Sequence, residues 1–266
     1  MLKLCITFLS TFLILSPSGL PAASLLVPGS LTHENKVLPK EVLQNSIPIQ
    51  NEGDLPITVR VTLNDYSFNS KGESSFLPAG NNPRSNASWI KTSKMYFEIA
   101  PHTTYSFPYT LQVPDNNSLS GSYWSIFLIE PVEEQFASPE KDQSLGVQTI
   151  IRYGVQVLTH IGKTGSYDLK ILEKKIVKEG EKKTFILNVD NTGTLSQSPF
   201  LTVELINTLG KKIGRFEAPK QRVLPSCSIS YQVDLSTVSA GKYKAMVILD
   251  HGDGALFGAQ YDLIMD

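Results

Sequence analysis

The chain has 266 residues, 41% of them hydrophobic and 18% charged, with a formal net charge of -1. That length and composition suffice to bury a sizeable core and exclude a chain disordered by composition. The scattered, balanced charge offers no basic stripe to nucleic acid or to an acidic membrane surface.

Residues 1–24 have the layout of a secretory signal peptide. Lys3 supplies the basic start and residues 5–15 the apolar run; Ser16-Pro17-Ser18-Gly19 breaks it and Ala22-Ala23-Ser24 offers a cleavage site. The run is too short to span a bilayer comfortably, so cleavage is expected rather than a retained anchor, and no later stretch is apolar enough to cross. Removal of the segment leaves Cys227 as the remaining cysteine, so the domains fold without an internal disulfide, which favours a bacterial envelope, with the periplasm expected and the cell surface as the alternative. Cys227 lies in an alternating segment and reads as a small buried strand residue.

Helical periodicity is almost absent. Residues 57–63, 105–113 and 123–129 alternate at period two and are rich in β-branched and aromatic side chains. A polar, proline-containing stretch at 132–145 reads as an exposed loop. Residues 146–158 then read as one long strand, with Val147, Thr149, Ile151, Tyr153, Val155 and Val157 on one face. Ile150 and Leu158 add apolar groups to the other face, beside Gln148, Arg152 and Gln156. Such a strand is either buried on both faces or offers an apolar row to a partner.

A hinge is expected at 161–165, and further alternating runs follow at 168–172, 184–189, 200–206, 228–235, 243–249 and 260–265. The expected fold is all-β: two immunoglobulin-like β-sandwich domains in tandem, at 25–161 and 162–266. A weak internal repeat supports the pairing. Asn51-Glu52-Gly53, Ile99-Ala100-Pro101 and Gly121-Ser122-Tyr123 recur in order as Asn191-Thr192-Gly193, Val223-Leu224-Pro225 and Gly241-Lys242-Tyr243. The tyrosine of each Gly-X-Tyr is a candidate corner residue.

Catalytic signatures are sparse. His33, His102, His160 and His251 are dispersed without metal-ligand spacing, and no Gly-X-Ser-X-Gly elbow or phosphate-cradling loop is present. Members of a Ser-His-Asp triad can lie far apart in sequence, so that geometry stays open. Asp250-His251-Gly252-Asp253-Gly254 lacks the calcium-loop spacing and reads as a hairpin turn. Trp89 and Trp124 read as core residues. Neither a cofactor nor a metal ion is expected.

Asn51-Glu52-Gly53, the strand led by Pro101, the segment 146–158 and the second alternating set resemble the periplasmic pilus-chaperone family. The run from 201 to 249 also resembles the tandem extracellular domains that accompany WxL surface proteins. The first resemblance implies a non-enzymatic protein that binds a pilin-like subunit by β-strand donation. Residues 147–157 would be the donor, and Arg152 would anchor a partner carboxylate by a bidentate hydrogen bond. The second implies a surface structural or adhesive module that binds another surface protein, with 146–158 a plain domain-closing strand. The first half carries longer inserts, at 64–88 and 131–145, than a lean chaperone domain.

Overall fold

The computed structural model describes residues 24–132, 150–252 and 254–266. The signal segment and the loop expected at 132–145 fall almost entirely outside these residues, as do Val147 and Thr149. Ten strands form the first sandwich: β1 (Leu25–Leu26), β2 (Thr32–Val37), β3 (Val42–Asn51), β4 (Ile57–Phe68), β5 (Ser74–Pro78), β6 (Ile90–Lys91), β7 (Tyr96–Ile99), β8 (Thr104–Gln112), β9 (Gly121–Pro131) and β10 (Tyr153–Ile161). Seven form the second: β11 (Leu169–Glu179), β12 (Lys182–Asn191), β13 (Phe200–Asn207), β14 (Lys212–Ala218), β15 (Ser228–Asp234), β16 (Gly241–Gly252) and β17 (Ala255–Met265).

The first sandwich packs the sheet β1-β3-β8-β6 against the sheet β2-β10-β9-β4-β5, in which β7 also pairs with β4. The second packs β11-β12-β15 against β14-β13-β16-β17. This is the two-sandwich, all-β architecture expected from the alternating runs. Alternation builds each core directly. Ile47, Ile49, Phe107 and Leu111 of one sheet meet Val59, Val61, Phe127 and Ile129 of the other, all fully buried. Phe185, Leu187 and Val189 likewise meet Val203, Leu205 and Val247. Fully burying such a side chain contributes roughly 1.5–3 kcal/mol. Among the described residues, no helix is long and apolar enough to cross a membrane.

The sequence repeat is a structural repeat. Asn51 Nδ2 donates to the carbonyls of Leu55 (2.7 Å) and Ile99 (3.1 Å), and its Oδ1 accepts from Gly53 N–H (2.9 Å). Asn191 does the same with Leu195 (2.8 Å), Val223 (3.0 Å) and Gly193 (3.0 Å). Each asparagine is fully buried and ties a strand end to the segment before the Pro-led turn. A buried amide bonded on both sides contributes where a lone one would cost 1–3 kcal/mol or so. The two Gly-X-Tyr tyrosines diverge. Tyr243 Oη donates to Ser239 O (2.9 Å), closing a corner, whereas the Tyr123 ring packs on Trp89 and lies under Arg84.

Candidate functional site: the cleft between the sandwiches

The outer face of the β2-β10-β9-β4-β5 sheet turns toward the second sandwich. Alternation along β9 and β10 sends Trp124 and Leu158 to that face, where both join the second hydrophobic core. Trp124 is 1% exposed, and its Nε1 donates to Tyr66 O (2.6 Å). Backbone bonds join the same junction: Ser122 N–H donates to Thr194 O (2.8 Å), and Ser70 N–H to Ser228 Oγ (2.9 Å). Gly121 permits this approach. Its φ is +75°, and a Cβ there would lie 2.3 Å from Thr194 O.

Above the junction the sandwiches part into a cleft of about 690 Å³. Ile126 and Leu128 of β9 form its floor, Ile229 of β15 part of the far wall, and Tyr66, Phe68 and Phe76 the near wall. The near wall comes from the insert at 64–88. β4 continues past its β9 pairing and folds back as β5, with register Asn64↔Pro78 to Phe68↔Ser74. Tyr66 stacks on Phe76 at 5.3 Å between ring centroids and tilts against Phe68 at 5.5 Å. The arm is therefore held by aromatic contacts as well as its ladder.

Among the described residues, one edge of β10 is open at this cleft. β2 runs parallel to β10 from Gln156↔Thr32 to Ile161↔Val37. Gln156 N–H donates to Leu31 O and Gly162 N–H to Val37 O, both at 2.8 Å, so even-numbered residues turn their backbone groups to the β2 side. Gly154 and Arg152 continue that edge beyond β2, where no strand lies among the described residues. Upstream of β2 the chain passes through Pro28 and Gly29 (φ +88°) to reach β1 in the opposite sheet. This turn takes Leu25 and Leu26 to the opposite sheet, away from Gly154. Ile126 packs over Gly154, where a Cβ would lie 2.8 Å from Ile126 Cδ1.

Charge gathers at the two ends of the cleft. Arg152 Nε and Arg60 both bond the Glu130 carboxylate, whose side chain is 10% exposed. Burial pushes the Glu130 carboxyl up, but hydrogen bonds from Arg60 and Arg152 outweigh it and hold the group below its ordinary range. Arg152 lines the cleft and remains 56% exposed at its side chain. Arg222, also in the lining, donates from Nη2 to Glu34 Oε2 (3.0 Å).

The expected donor row is only partly at this edge. The strand begins at Tyr153 and extends to Ile161 rather than covering 146–158. Val155 and Val157 of the expected partner-binding row are fully buried in the first core. The reason is that their face of β10 is the inner face of the sandwich. Tyr153 is half-buried against the same core, whereas Ile151 precedes the strand and is 56% exposed. Arg152 already has a carboxylate partner in Glu130, so it is not an unpaired anchor. The face that looks into the cleft is the other one, carrying Gly154 and Gln156.

The histidines stay apart: His33 pairs with Tyr109, His102 with Asp54, and His251 accepts from Ser198 N–H. His160 is the exception that sequence spacing could not reveal. Its Nδ1 is 2.8 Å from Ser122 Oγ and its Nε2 is 2.9 Å from Glu34 Oε1. The connectivity is that of a Ser-His-acid triad, but Ser122 is fully buried and its Oγ accepts the Ser196 N–H (2.8 Å). A nucleophile needs room for substrate, and this hydroxyl has none. The chain Ser196–Ser122–His160–Glu34–Arg222 instead pins one sandwich to the other. Cys227 is buried, and burial pushes its thiol up, away from reactivity. β16 and β17 pair antiparallel up to Gly252↔Ala255, flanking the turn expected at 250–254, of which Asp253 lies outside the described residues.

No family model matches the chain, and no curated protein matches it. Solved structures do. A chaperone–tip adhesin complex of CFA/I fimbriae aligns at a TM-score of 0.48 and 9% identity, covering 90% of this chain and 98% of that one. The class 5 fimbriae chaperone CfaA aligns at 0.46 and 9% identity, covering 91% and 100%. The CsuC–CsuE chaperone–tip adhesion subunit complex of Acinetobacter baumannii aligns at 0.44 and 13% identity, covering 90% and 98%. These likenesses are in the arrangement of strands; the functional argument rests on the cleft.

Proposed function

We propose that this protein is a non-enzymatic, envelope-located, chaperone-like module that takes up an extended segment of a partner protein by β-strand addition. The observation that carries this reading is the edge of β10 at Gly154, unpaired among the described residues and lying over an apolar cleft between two sandwiches. An unpaired strand edge supplies backbone donors and acceptors in register, and a groove beside it supplies side-chain selectivity. Natural sheets rarely leave such an edge beside apolar surface without a partner for it. Ile151, exposed just before the strand, extends the edge, and Tyr153 supports it from the core side. A pilin-like subunit fits as partner and the periplasm as location, in keeping with the signal-peptide layout expected of residues 1–24.

Hydrogen exchange of the isotope-labelled protein tests the reading, with ten-residue synthetic peptides of alternating apolar and polar residues as probes. A strand added at this edge protects the Gly154 amide and leaves the Val155 amide, already facing β9, unchanged. Ile151→Asp should weaken peptide uptake at least tenfold with an unchanged thermal midpoint. Absence of Gly154 protection with every probe would overturn the reading.

A further inference from the structure

The two sandwiches place their opening strands differently, and the difference exposes an edge in the second. In the first, β1 pairs with β3, and β2 crosses over to pair with β10. In the second, β11 stays with β12 along its length, from Leu169↔Asn191 to Glu179↔Lys182. β17 is therefore the last strand of the sheet β14-β13-β16-β17, with no strand on its outer side among the described residues. We infer that this edge is a homodimer surface, on which β17 pairs antiparallel with β17 of a second copy of the chain across a two-fold axis at Gln260. No residue of β17 lines the cleft, so the inference stands apart from strand addition at β10.

Backbone direction carries across the sheet from one hydrogen bond. Asn207 N–H donates to Lys211 O (3.0 Å), so odd-numbered residues of β13 turn to β14 and even-numbered ones to β16. The unbroken register from Phe200↔Asp250 to Asn207↔Tyr243 then leaves odd-numbered residues of β16 facing β17. They meet odd-numbered residues of β17, from Tyr243↔Leu263 to Leu249↔Phe257. The backbone groups of Leu256, Gly258, Gln260, Asp262 and Ile264 thus point outward. The devices that guard an edge are missing too. β17 holds no Lys, Arg or Pro, whereas β11, an edge of the facing sheet, holds Lys170, Lys174, Lys175 and Lys178.

The strand is complementary to itself. Gln260 is the middle residue of Ala255–Met265, so a two-fold there pairs the strands along their full length. It sets Leu256 of one copy against Ile264 of the other, side chains that are 63% and 64% exposed in the single chain. Their pairing removes apolar surface from water at both ends of the contact. Asp262, the one charge of the strand, meets Gly258 of the other copy and keeps Lys244 beside it in its own sheet. Centring the pair on Asp262 would set like charges face to face, and centring it on Gly258 would leave Ile264 without an apolar partner. Because each copy uses the same patch, the contact closes as a dimer and joins two four-stranded sheets into one.

Sedimentation velocity of the purified protein over a micromolar dilution series reads the association, and a dimer is expected. Leu256→Lys with Ile264→Lys should raise its dissociation constant at least tenfold with the thermal midpoint unchanged, since both side chains face solvent in the single chain. Ile151→Asp, beside β10, should leave the dimer intact. Gln260→Cys, on the axis, should join to its copy with a short bismaleimide, whereas Lys242→Cys on β16 should not. The buried Cys227 should give no such product in the wild type. If the double lysine variant does not fold, the Gln260→Cys product decides. A monomer at every concentration overturns the inference. So does a dimer that Ile151→Asp dissolves and the double lysine variant does not, or one in which Lys242→Cys joins and Gln260→Cys does not.

Discussion

Arg222 in the second sandwich places its Nη2 3.0 Å from Oε2 of Glu34 in the first, and the other oxygen of Glu34 meets His160 at 2.9 Å. One carboxylate therefore ties the strand that closes the first sandwich to a loop of the second. The cleft owes its width to this tie and to the packing of Trp124 and Leu158 below it.

The Arg222–Glu34 pair is partly exposed, at 35% and 46% of the two side chains. Its coupling should be about 0.2–1 kcal/mol in a double-mutant cycle of Arg222→Ala with Glu34→Gln. Small-angle scattering should show the sandwiches opening more in either variant than unfolding data suggest. A coupling of several kcal/mol would mean a dry pair and refute this picture.

Leu158→Ala removes a fully buried side chain that β10 of the first sandwich packs into the second core. A loss of about 2–5 kcal/mol is expected. Calorimetry should split one transition into two, since the Leu158 side chain couples the two units. Val157→Ala, buried in the first core alone, should lower the transition without splitting it.

Gly121→Ala should be among the most damaging small changes. The left-handed φ costs about 1–2 kcal/mol for a residue with a Cβ, and the 2.3 Å approach to Thr194 O adds a clash with backbone. Gly80 has a similar φ of +95° with nothing within 4 Å. Gly80→Ala should therefore show the conformational cost alone, and chemical denaturation of the two variants separates strain from clash.

Glu130 gives the protein an acid-sensitive tie. Its carboxyl is held below an ordinary value of 4.5, so the unfolded chain takes up the proton first as pH falls. The stabilisation is complete above that ordinary value and is lost as pH drops through the lower folded one. The gap in urea midpoint between wild type and Glu130→Gln should be flat near neutrality and shrink below pH 4.5. A gap that widens toward acid would reverse the assignment.

Hydrophobic alternation made the fold class legible. The paired motifs around Asn51 and Asn191 were legible too, because an asparagine that must satisfy the same buried carbonyls recurs with its glycine two residues on. The insert at 64–88 showed its length but not its destination: an arm that walls a cleft is defined by what it meets, and Ile229 is far away in the chain. The Ser122–His160–Glu34 chain was hidden for the same reason, since its members come from β9, β10 and β2.

The segment around Val155 marks the boundary between the two kinds of knowledge. The amino-acid order alone determined that a two-faced apolar strand ends the first sandwich, because side chains alternate by geometry whatever surrounds them. Which face is core is not a property of the strand. It depends on which sheet lies on each side, and only the tertiary structure assigned Val155 and Val157 to the interior and Gly154 to the cleft. The open edge depends on where a distant strand stops. β2 stops short because Pro28 and Gly29 carry the chain to the other sheet, and that decision is made 120 or so residues before β10 is reached.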